Sequence, residues 1–415
     1  MTAMPADASG RSEWRTGWRF VALTVVALTC SPTTLPVYTM GIFMPELQEA
    51  FGWGRGPIQT VFLFSTGLGL IGGPLAGWMV NRFGVRTTIM SGLIGLALAV
   101  SGCAAMTGQI WQLYALYASM AILGAGAGAV TWTFLIAERF EKNRGLALGI
   151  ALSGTGVASM VMPWVATIGV ELSDWRSGYL GVAAFCLLVI LPLCAIVLRN
   201  YRPSQHAVKS DAEGSEGSAE GQKSLTVSEA IRSVRFWLLG GSTLCIYVAL
   251  GGLVPNIVPA MTDTGMSIEA ASTIMTLFGI SIIVGRITVG ALVDHLWAPA
   301  VAATVLVPAA IACFALQLPL SFGVYAVLAI FIGLATGMEF DMLGFLAARY
   351  FGLANFARIY GRLFMFLAAG SGVAPLAYGF AYDTTGSYQW PFTIAAGLLV
   401  LGAIGLLAMG RYPKR

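Results

Sequence analysis

Arg286 is the residue whose type and position most clearly suggest a chemical role. It lies inside the apolar stretch 267–293, and the other apolar stretches long enough to cross a membrane carry basic residues only at their ends. A guanidinium in a bilayer centre costs about 2.5–3.5 kcal/mol on insertion scales, so it is rarely kept for packing. Its planar donor fork suits a carboxylate. We expect Arg286 to face a water-filled path and bind an anion. The alternative is a structural ion pair with an acid of the stretch 321–347.

Glu339 and Asp341 are the acidic residues at the same depth. Counted back from Arg349, they lie roughly 12–15 Å inside their stretch, and Arg286 lies roughly 12 Å before Asp294, at about 1.5 Å per residue. Two residues on a helix differ by about 200°, so at most one of the two acids faces a central cavity. A desolvated carboxyl there could carry a coupling proton. Alternatively, both acids hold neighbouring helices together.

The composition indicates that most of the chain lies in a membrane. Hydrophobic residues make up 57% and charged residues only 10% of the 415 positions, whereas a soluble domain carries about 25% charge. The 51 glycines are typical of helices that pack closely in a bilayer. We therefore predict an all-α integral membrane protein.

Twelve apolar stretches are long enough to cross a bilayer core, which requires about 20 residues. We number these spans 1 to 12 in chain order: 19–47, 58–80, 87–106, 110–136, 146–170, 177–199, 235–260, 267–293, 299–317, 321–347, 361–382 and 388–410.

The Lys and Arg residues predict the orientation of these spans. With a cytoplasmic N-terminus, 20 of the 23 basic residues fall in cytoplasmic tails and loops, and only Arg55 and Arg176 lie outside. Basic loops stay on the cytoplasmic side, so both termini are expected there. The net charge of +4 follows from this rule and does not indicate a nucleic-acid partner.

A polar stretch, 203–230, divides the spans six and six, and its Gly, Ser and Glu content is typical of a flexible linker. The predicted organisation is a tail, a six-helix bundle, a linker, a second six-helix bundle and a tail: 1–18, 19–199, 200–234, 235–410 and 411–415.

The two halves repeat each other at a nearly constant offset. Duplicated halves place a binding site at their interface near the bilayer midplane and move it by alternating access. The matching pairs are Gly41-x-x-x-Pro45 with Gly251-x-x-x-Pro255, GGPLAGWMVNR from Gly72 with GRITVGALVDH from Gly285, and SGTGVA (153–158) with AGSGVA (369–374).

The segment GWMVNRFGVR (77–86) resembles the loop motif G-x-x-x-D-R-x-G-x-R of the major facilitator superfamily. The resemblance implies two pseudo-symmetric six-helix bundles and a cytoplasmic gate built from Asn81, Arg82, Arg86 and Asp294. Asn81 replaces the usual aspartate, whereas the second half keeps Asp294. The asparagine at position 81 implies either that the gate is weaker or that Asp294 takes over the role of the missing aspartate.

Three further segments resemble the bacterial relatives of the monocarboxylate porters and the oxalate–formate exchangers. These porters have a substrate-binding arginine in span 8 at the position that Arg286 occupies here, so the resemblance implies the same role for Arg286. A drug antiporter is less favoured because span 5 lacks the run G-P-x-x-G-G. The segments are YTMGIFMPELQEAFGWGRGPI (38–58), RYFGLANFARIYGR (349–362) and YDTTGSY (382–388).

Two departures from these relatives bear on the cargo. Mammalian-type porters have an aspartate one turn before the span-8 arginine, where this chain has Ile282. A coupling proton must therefore bind to Glu339, to Asp341 or to the substrate itself. Relatives that carry a small dicarboxylate have a second basic residue within span 11, whereas here Arg362 lies at the mouth of that span. One central cation favours a monoanion.

Further candidates for the substrate pocket are polar residues on the spans expected to line the cavity. Tyr38 precedes the predicted Gly-x-x-x-Pro break of span 1, and Asn256 follows the break of span 7. Irregular backbone in a membrane is tolerated where it lines a cavity. Tyr117 and Tyr247 could also shape the pocket, although such residues more often serve packing.

The sequence contains no Ser-His-Asp set, metal-ligand cluster or catalytic acid pair, so we expect neither an enzyme nor a cofactor. The predicted partners are a small organic anion, protons and the lipid bilayer, with a monomer as the working unit. The resulting hypothesis is a bacterial inner-membrane carrier that takes up a monocarboxylate with a proton. The alternatives are an exporter of a drug-like, siderophore-like or peptide-like compound, and a sensor that transports nothing.

Overall fold

The computed structural model describes residues 7–140, 143–199, 201, 225–352 and 355–412. Throughout this described part the regular structure is helical and no strand is present. Helices are expected because they satisfy their own backbone hydrogen bonds where water is absent. The ends of both predicted tails and most of the predicted linker lie outside the described residues, so the domain boundaries stay a prediction.

The described part of the first half starts at Asp7 and contains spans 1 to 6. A capping box at Asp174 starts the helix of span 6, as expected for a side chain that satisfies free N–H groups. The helices are Asp7–Ala27, Thr34–Phe51, Arg55–Gln59, Val61–Ser65, Gly69–Phe83, Val85–Cys103, Ile110–Leu123, Ala129–Arg139, Arg144–Leu152, Gly154–Leu172, Trp175–Phe185 and Leu191–Val197.

The second half contains spans 7 to 12. Its helices are longer, and the Ser267 side chain caps the helix that carries Arg286. They are Val227–Arg232, Val234–Leu253, Ile257–Asp263, Ile268–His295, Ala298–Ala315, Phe322–Phe351, Phe356–Thr385 and Gln389–Ala408.

Ten helical segments of the described chain are long and apolar enough to cross a membrane. The two remaining predicted spans, 58–80 and 110–136, are each broken into shorter helices. In span 4 the break is the glycine run 124–128, where a Cβ on Gly126 would lie 2.1 Å from the Thr88 carbonyl oxygen. Glycine permits this approach but weakens the helix, because it has the most backbone freedom to lose.

The break in span 1 differs from the sequence prediction. The helix Thr34–Phe51 continues through Pro45, and the interruption lies earlier, after a 3₁₀ turn at Leu28–Cys30. Ser31 is extended because it precedes Pro32, and a residue before proline avoids the helical region. Span 7 has its interruption at the 3₁₀ turn Val254–Asn256, close to the predicted position.

The first glycines of the matching segments GGPLAGWMVNR and GRITVGALVDH occupy equivalent packing positions in the two halves. Gly72 of span 2 faces the backbone of span 4, and Gly285 of span 8 is pressed against Leu334 of span 10. Between the halves, spans 5 and 8 cross at Gly156 and Gly279, where a Cβ on either residue would lie within 2.7 Å of the other's carbonyl oxygen. Small residues at such crossings let helix backbones approach in a membrane.

We distinguish the two ends of the bundle as the terminal face and the opposite face. The terminal face is the end that carries Asp7 and Tyr412, together with the loop between spans 2 and 3. The opposite face carries the loops between spans 1 and 2, 7 and 8, and 11 and 12.

Candidate functional site

Glycine packing between spans 8 and 10 positions the central charges. Gly333 and Gly337 lie one turn apart on span 10, and a Cβ on them would lie 2.5 Å and 2.3 Å from the carbonyl oxygens of Phe278 and Ile282 on span 8. This Gly-x-x-x-Gly pattern brings the two backbones together. Arg286, one turn after Ile282, is thereby placed beside span 10.

The Arg286 side chain is buried, with 8% of the residue exposed. Its Nε lies 3.2 Å from Asp341 Oδ2 and 3.4 Å from the Gly337 carbonyl oxygen. Its Nη1 is buried and has no hydrogen-bond partner among the described groups. A buried charged donor without a partner is costly, so this nitrogen is available to a bound acceptor.

A cavity of about 160 Å³ opens beside this guanidinium. It runs from Arg286 toward the terminal face, because its other lining residues follow Arg286 on span 8 or surround Asp341 on span 10. Most of them are apolar. The lining residues are Arg286, Val289, Gly290, Val293, Met338, Asp341, Met342 and Phe345.

Glu339 lines a different and smaller cavity inside the second half. That cavity holds about 20 Å³, which is room for about one water molecule. Glu339 and Tyr247 both line this cavity. Glu339 Oε2 and the Tyr247 hydroxyl are buried and have no hydrogen-bond partner among the described groups. The two acids of span 10 thus point to different places, as their spacing predicts.

Tyr38 brings the first half to this site. Its residue is 8% exposed, and it lies within electrostatic range of Arg286 and Glu339. On the second half, Tyr360 of span 11 lies within range of Asp341. The charged centre therefore sits where spans 1, 7, 8, 10 and 11 meet.

Two predicted pocket residues lie elsewhere. Tyr117 is buried inside the first half, where its hydroxyl lies 3.3 Å from that of Tyr179. Asn256 is fully buried nearer the opposite face and pairs with Gln59 and Tyr388. Neither residue lines the cavity at Arg286.

The predicted gate residues lie at the terminal face. Asn81, Arg82 and Arg86 are exposed around Gly84, whose φ of +81° allows the tight connection between spans 2 and 3. The Asp294 side chain lies outside the described residues. The gating role of these four residues stays a prediction.

Sequence reasoning missed two features of the molecule. The Gly333-x-x-x-Gly337 pattern was a readable signal for the contact between spans 8 and 10. Arg55 was assigned only to an outer loop, yet it is 6% exposed and pairs with Asp263 from the other half of the chain. No local pattern links these two residues, which are 208 positions apart.

We expect Gly337→Ala to lower the melting temperature by several degrees and to weaken transport. The added Cβ would lie 2.3 Å from backbone at Ile282, and overpacking of this kind costs about 1–3 kcal/mol. The matched control is Gly397→Ala, because nothing lies within 4 Å of a Cβ on Gly397. Equal melting temperatures for the two variants in the same detergent would contradict the close packing of spans 8 and 10.

The family model described as Major Facilitator Superfamily matches residues 26–255 and again residues 239–415. The chain belongs to this superfamily. The predicted membership is confirmed, and so is the all-helical fold of two bundles of spans. The relatives are membrane transporters and not enzymes.

Curated relatives include transporters of organic anions. The chain is 23% identical to monocarboxylate transporter 9 of Rattus norvegicus, with 94% of this chain and 92% of that protein covered. It is 24% identical to monocarboxylate transporter 12 of the same species, with 96% and 86% covered. The oxalate:formate antiporter of Oxalobacter formigenes is 28% identical, over 66% of this chain and 62% of that protein.

Solved transporter structures share the fold. A bacterial homologue of the human lysosomal transporter Spinster, in an inward-facing and occupied conformation, superposes with a TM-score of 0.67 at 15% identity, covering 94% of this chain and 96% of that chain. The E. coli fucose:proton symporter gives 0.58 at 17% identity, covering 94% and 98%. At these identities the likeness concerns the fold alone.

Proposed function

We propose that the protein is a secondary transporter that takes up a small monocarboxylate together with a proton. The observation that carries the proposal is the buried Arg286 Nη1, which lacks a partner among the described groups and belongs to a residue lining a cavity. A carboxylate oxygen would complete its hydrogen bonding. The relatives named for monocarboxylates and for oxalate and formate support an anionic cargo.

The lining of the cavity supports an anion with one carboxylate and an apolar body. Arg286 is its basic residue, and Asp341 already offsets part of the positive charge. A second substrate carboxylate would have no cation to meet among the lining residues. The apolar side chains Val289, Val293 and Phe345 suit a hydrocarbon or aromatic portion.

Asp341 is our proposed proton carrier. Its carboxylate oxygen Oδ2 lies 3.2 Å from Arg286 Nε. A substrate carboxylate at the same guanidinium would place two negative charges around one positive charge in a poorly solvated site. A proton taken up by Asp341 removes this excess, and its release frees the carboxylate to pair with Arg286 again.

We further propose that the terminal face is cytoplasmic and that the protein works as a monomer in a bacterial inner membrane. The excess of basic residues in the loops of that face supports this orientation. In this orientation the Arg286 cavity extends toward the cytoplasm.

Thermal unfolding of the purified protein against a ligand panel tests the proposed cargo. Monocarboxylates should raise the melting temperature, because a ligand at 100 times its dissociation constant stabilises the folded state by about 2.7 kcal/mol. Dicarboxylates, sugars and cationic drugs serve as comparisons. The shift should vanish in Arg286→Gln. Stabilisation by cationic or neutral compounds alone would reject the anion carrier and favour the exporter.

A further inference from the structure

Arg55 forms an ion pair across the two halves at the opposite face. It lies in the short connection between spans 1 and 2 and is 6% exposed. Its Nη1 and Nη2 donate to the two carboxylate oxygens of Asp263, at 2.8 Å and 2.7 Å. This bidentate geometry is the strong form of an arginine–carboxylate contact, unlike the loose pairs of open surfaces.

The Arg55 guanidinium has three further partners. Nη1 donates to the Tyr388 hydroxyl at 2.8 Å, and Nε donates to Gln48 Oε1 at 3.1 Å. The guanidinium carbon lies 3.8 Å from the ring centroid of Tyr382, within the range of a cation–π contact. Of these partners only Gln48 belongs to the same half as Arg55.

The backbone around Arg55 is held by the other half as well. The Asp383 carboxylate accepts the N–H groups of Arg55 and Gly56, at 2.8 Å and 2.7 Å. Gly379 of span 11 packs so closely that a Cβ there would lie 2.7 Å from the Arg55 carbonyl oxygen. The connection between spans 1 and 2 is thus attached to span 11.

A second layer of polar contacts lies beneath the ion pair. The side-chain amides of Gln59 and Asn256 exchange two hydrogen bonds, at 2.8 Å and 2.9 Å. The Tyr388 hydroxyl donates to Asn256 Oδ1 at 2.7 Å while accepting from Arg55. The hydrogen bonds therefore form one connected network, and the bonds of such networks strengthen one another.

We propose that these residues form a latch that keeps the opposite face closed and stabilises the conformation open toward the terminal face. The latch consists of Arg55, Gln59, Asn256, Asp263, Tyr382, Asp383 and Tyr388. Access from the opposite face requires the halves to separate there, and this separation breaks the contacts together because nearly all of them join the two halves. The role does not depend on which solute is carried.

Two other ion pairs of the described chain do not serve this purpose. Arg176–Asp174 lies on the same face but within the first half, and both side chains are more than 40% exposed. Arg286–Asp341 lies within the second half. Neither would break when the halves separate at the opposite face, so the first of them provides a matched control.

Distance measurement between two spin labels on the opposite face tests the latch. The labels are attached at Glu171→Cys and Ser321→Cys, which are exposed positions in different halves. Cys245 is replaced by serine because it is the native cysteine that is not buried. The protein with an intact latch should give mainly the short distance. Asp263→Asn should raise the population of a longer distance at least tenfold, and Tyr388→Phe should raise it to a smaller extent.

Arg176→Gln is the control and should keep the short distance. If Asp263→Asn fails to fold, the test rests on Tyr388→Phe, which removes only one hydroxyl group and should therefore fold. An unchanged distribution in the folded latch variants would overturn the proposal, as would an equal change in Arg176→Gln. The close backbone contacts, such as that of Gly41 with Pro255, would then be what holds the face closed.

Discussion

Arg286→Gln is expected to reduce uptake of the monocarboxylate by about 30-fold or more in proteoliposomes. Truncating one partner of a buried charged contact costs about 2–5 kcal/mol, and about 1.4 kcal/mol corresponds to tenfold. Glutamine keeps an amide donor but loses the charge and the planar fork. Initial uptake rates of a radiolabelled monocarboxylate, over a range of concentrations, measure the effect.

Three further variants separate anion binding from structural damage. Arg286→Lys keeps the charge without the fork and should lose less activity than Arg286→Gln. Arg286→Gln leaves Asp341 without its partner, so the double variant Arg286→Gln/Asp341→Asn should recover stability but not transport. Arg176→Gln removes an exposed arginine and should transport normally. Normal uptake by a folded Arg286→Gln would reduce the Arg286–Asp341 contact to a structural ion pair.

The depth of the central charges could be predicted from the sequence, but the direction of most pocket side chains could not. Helical rise alone puts Arg286 level with Glu339 and Asp341, and the structure has the first and third in contact. Their common depth follows from the distance of each residue from the end of its span. The rotation of each helix about its own axis could not be predicted, because the sequence of a span that is apolar on all sides does not show which face meets the cavity. Tyr117 and Tyr247 looked equivalent for this reason, although one lies inside the first half and the other beside Glu339.

Contacts between loops were beyond the reach of sequence patterns. The Arg55 latch joins Arg55 to Asp263 and Tyr388, which are more than 200 positions away, and no pattern within one segment shows which distant segment it contacts. The predicted break of span 1 at Gly41-x-x-x-Pro45 was wrong, because Pro32 and Pro36 lie in the same span and the sequence does not show which proline interrupts the helix. The extended backbone before Pro32 is the one that interrupts the helix.

Asp341→Asn is expected to abolish concentrative uptake while leaving exchange of the anion across the membrane intact. Asparagine imitates the protonated acid, so Arg286 stays free for substrate but no proton is carried. A gradient of about one pH unit supplies about 1.4 kcal/mol per proton, which sustains about a tenfold accumulation of the anion. Intact carrier should reach that ratio, and Asp341→Asn should stop near equal concentrations inside and outside.

Glu339→Gln is the matched control, because it removes a carboxyl two residues away on the same helix. Glu339 lines the separate cavity beside Tyr247, so this variant should still accumulate the anion in response to a pH gradient. If Glu339→Gln loses accumulation and Asp341→Asn keeps it, the proton rides on Glu339. If both variants accumulate the anion as well as intact carrier does, neither acid of span 10 carries a proton. Accumulation and exchange must be compared for each variant. A misfolded carrier loses both activities, whereas a carrier that lacks only its proton site loses accumulation and keeps exchange.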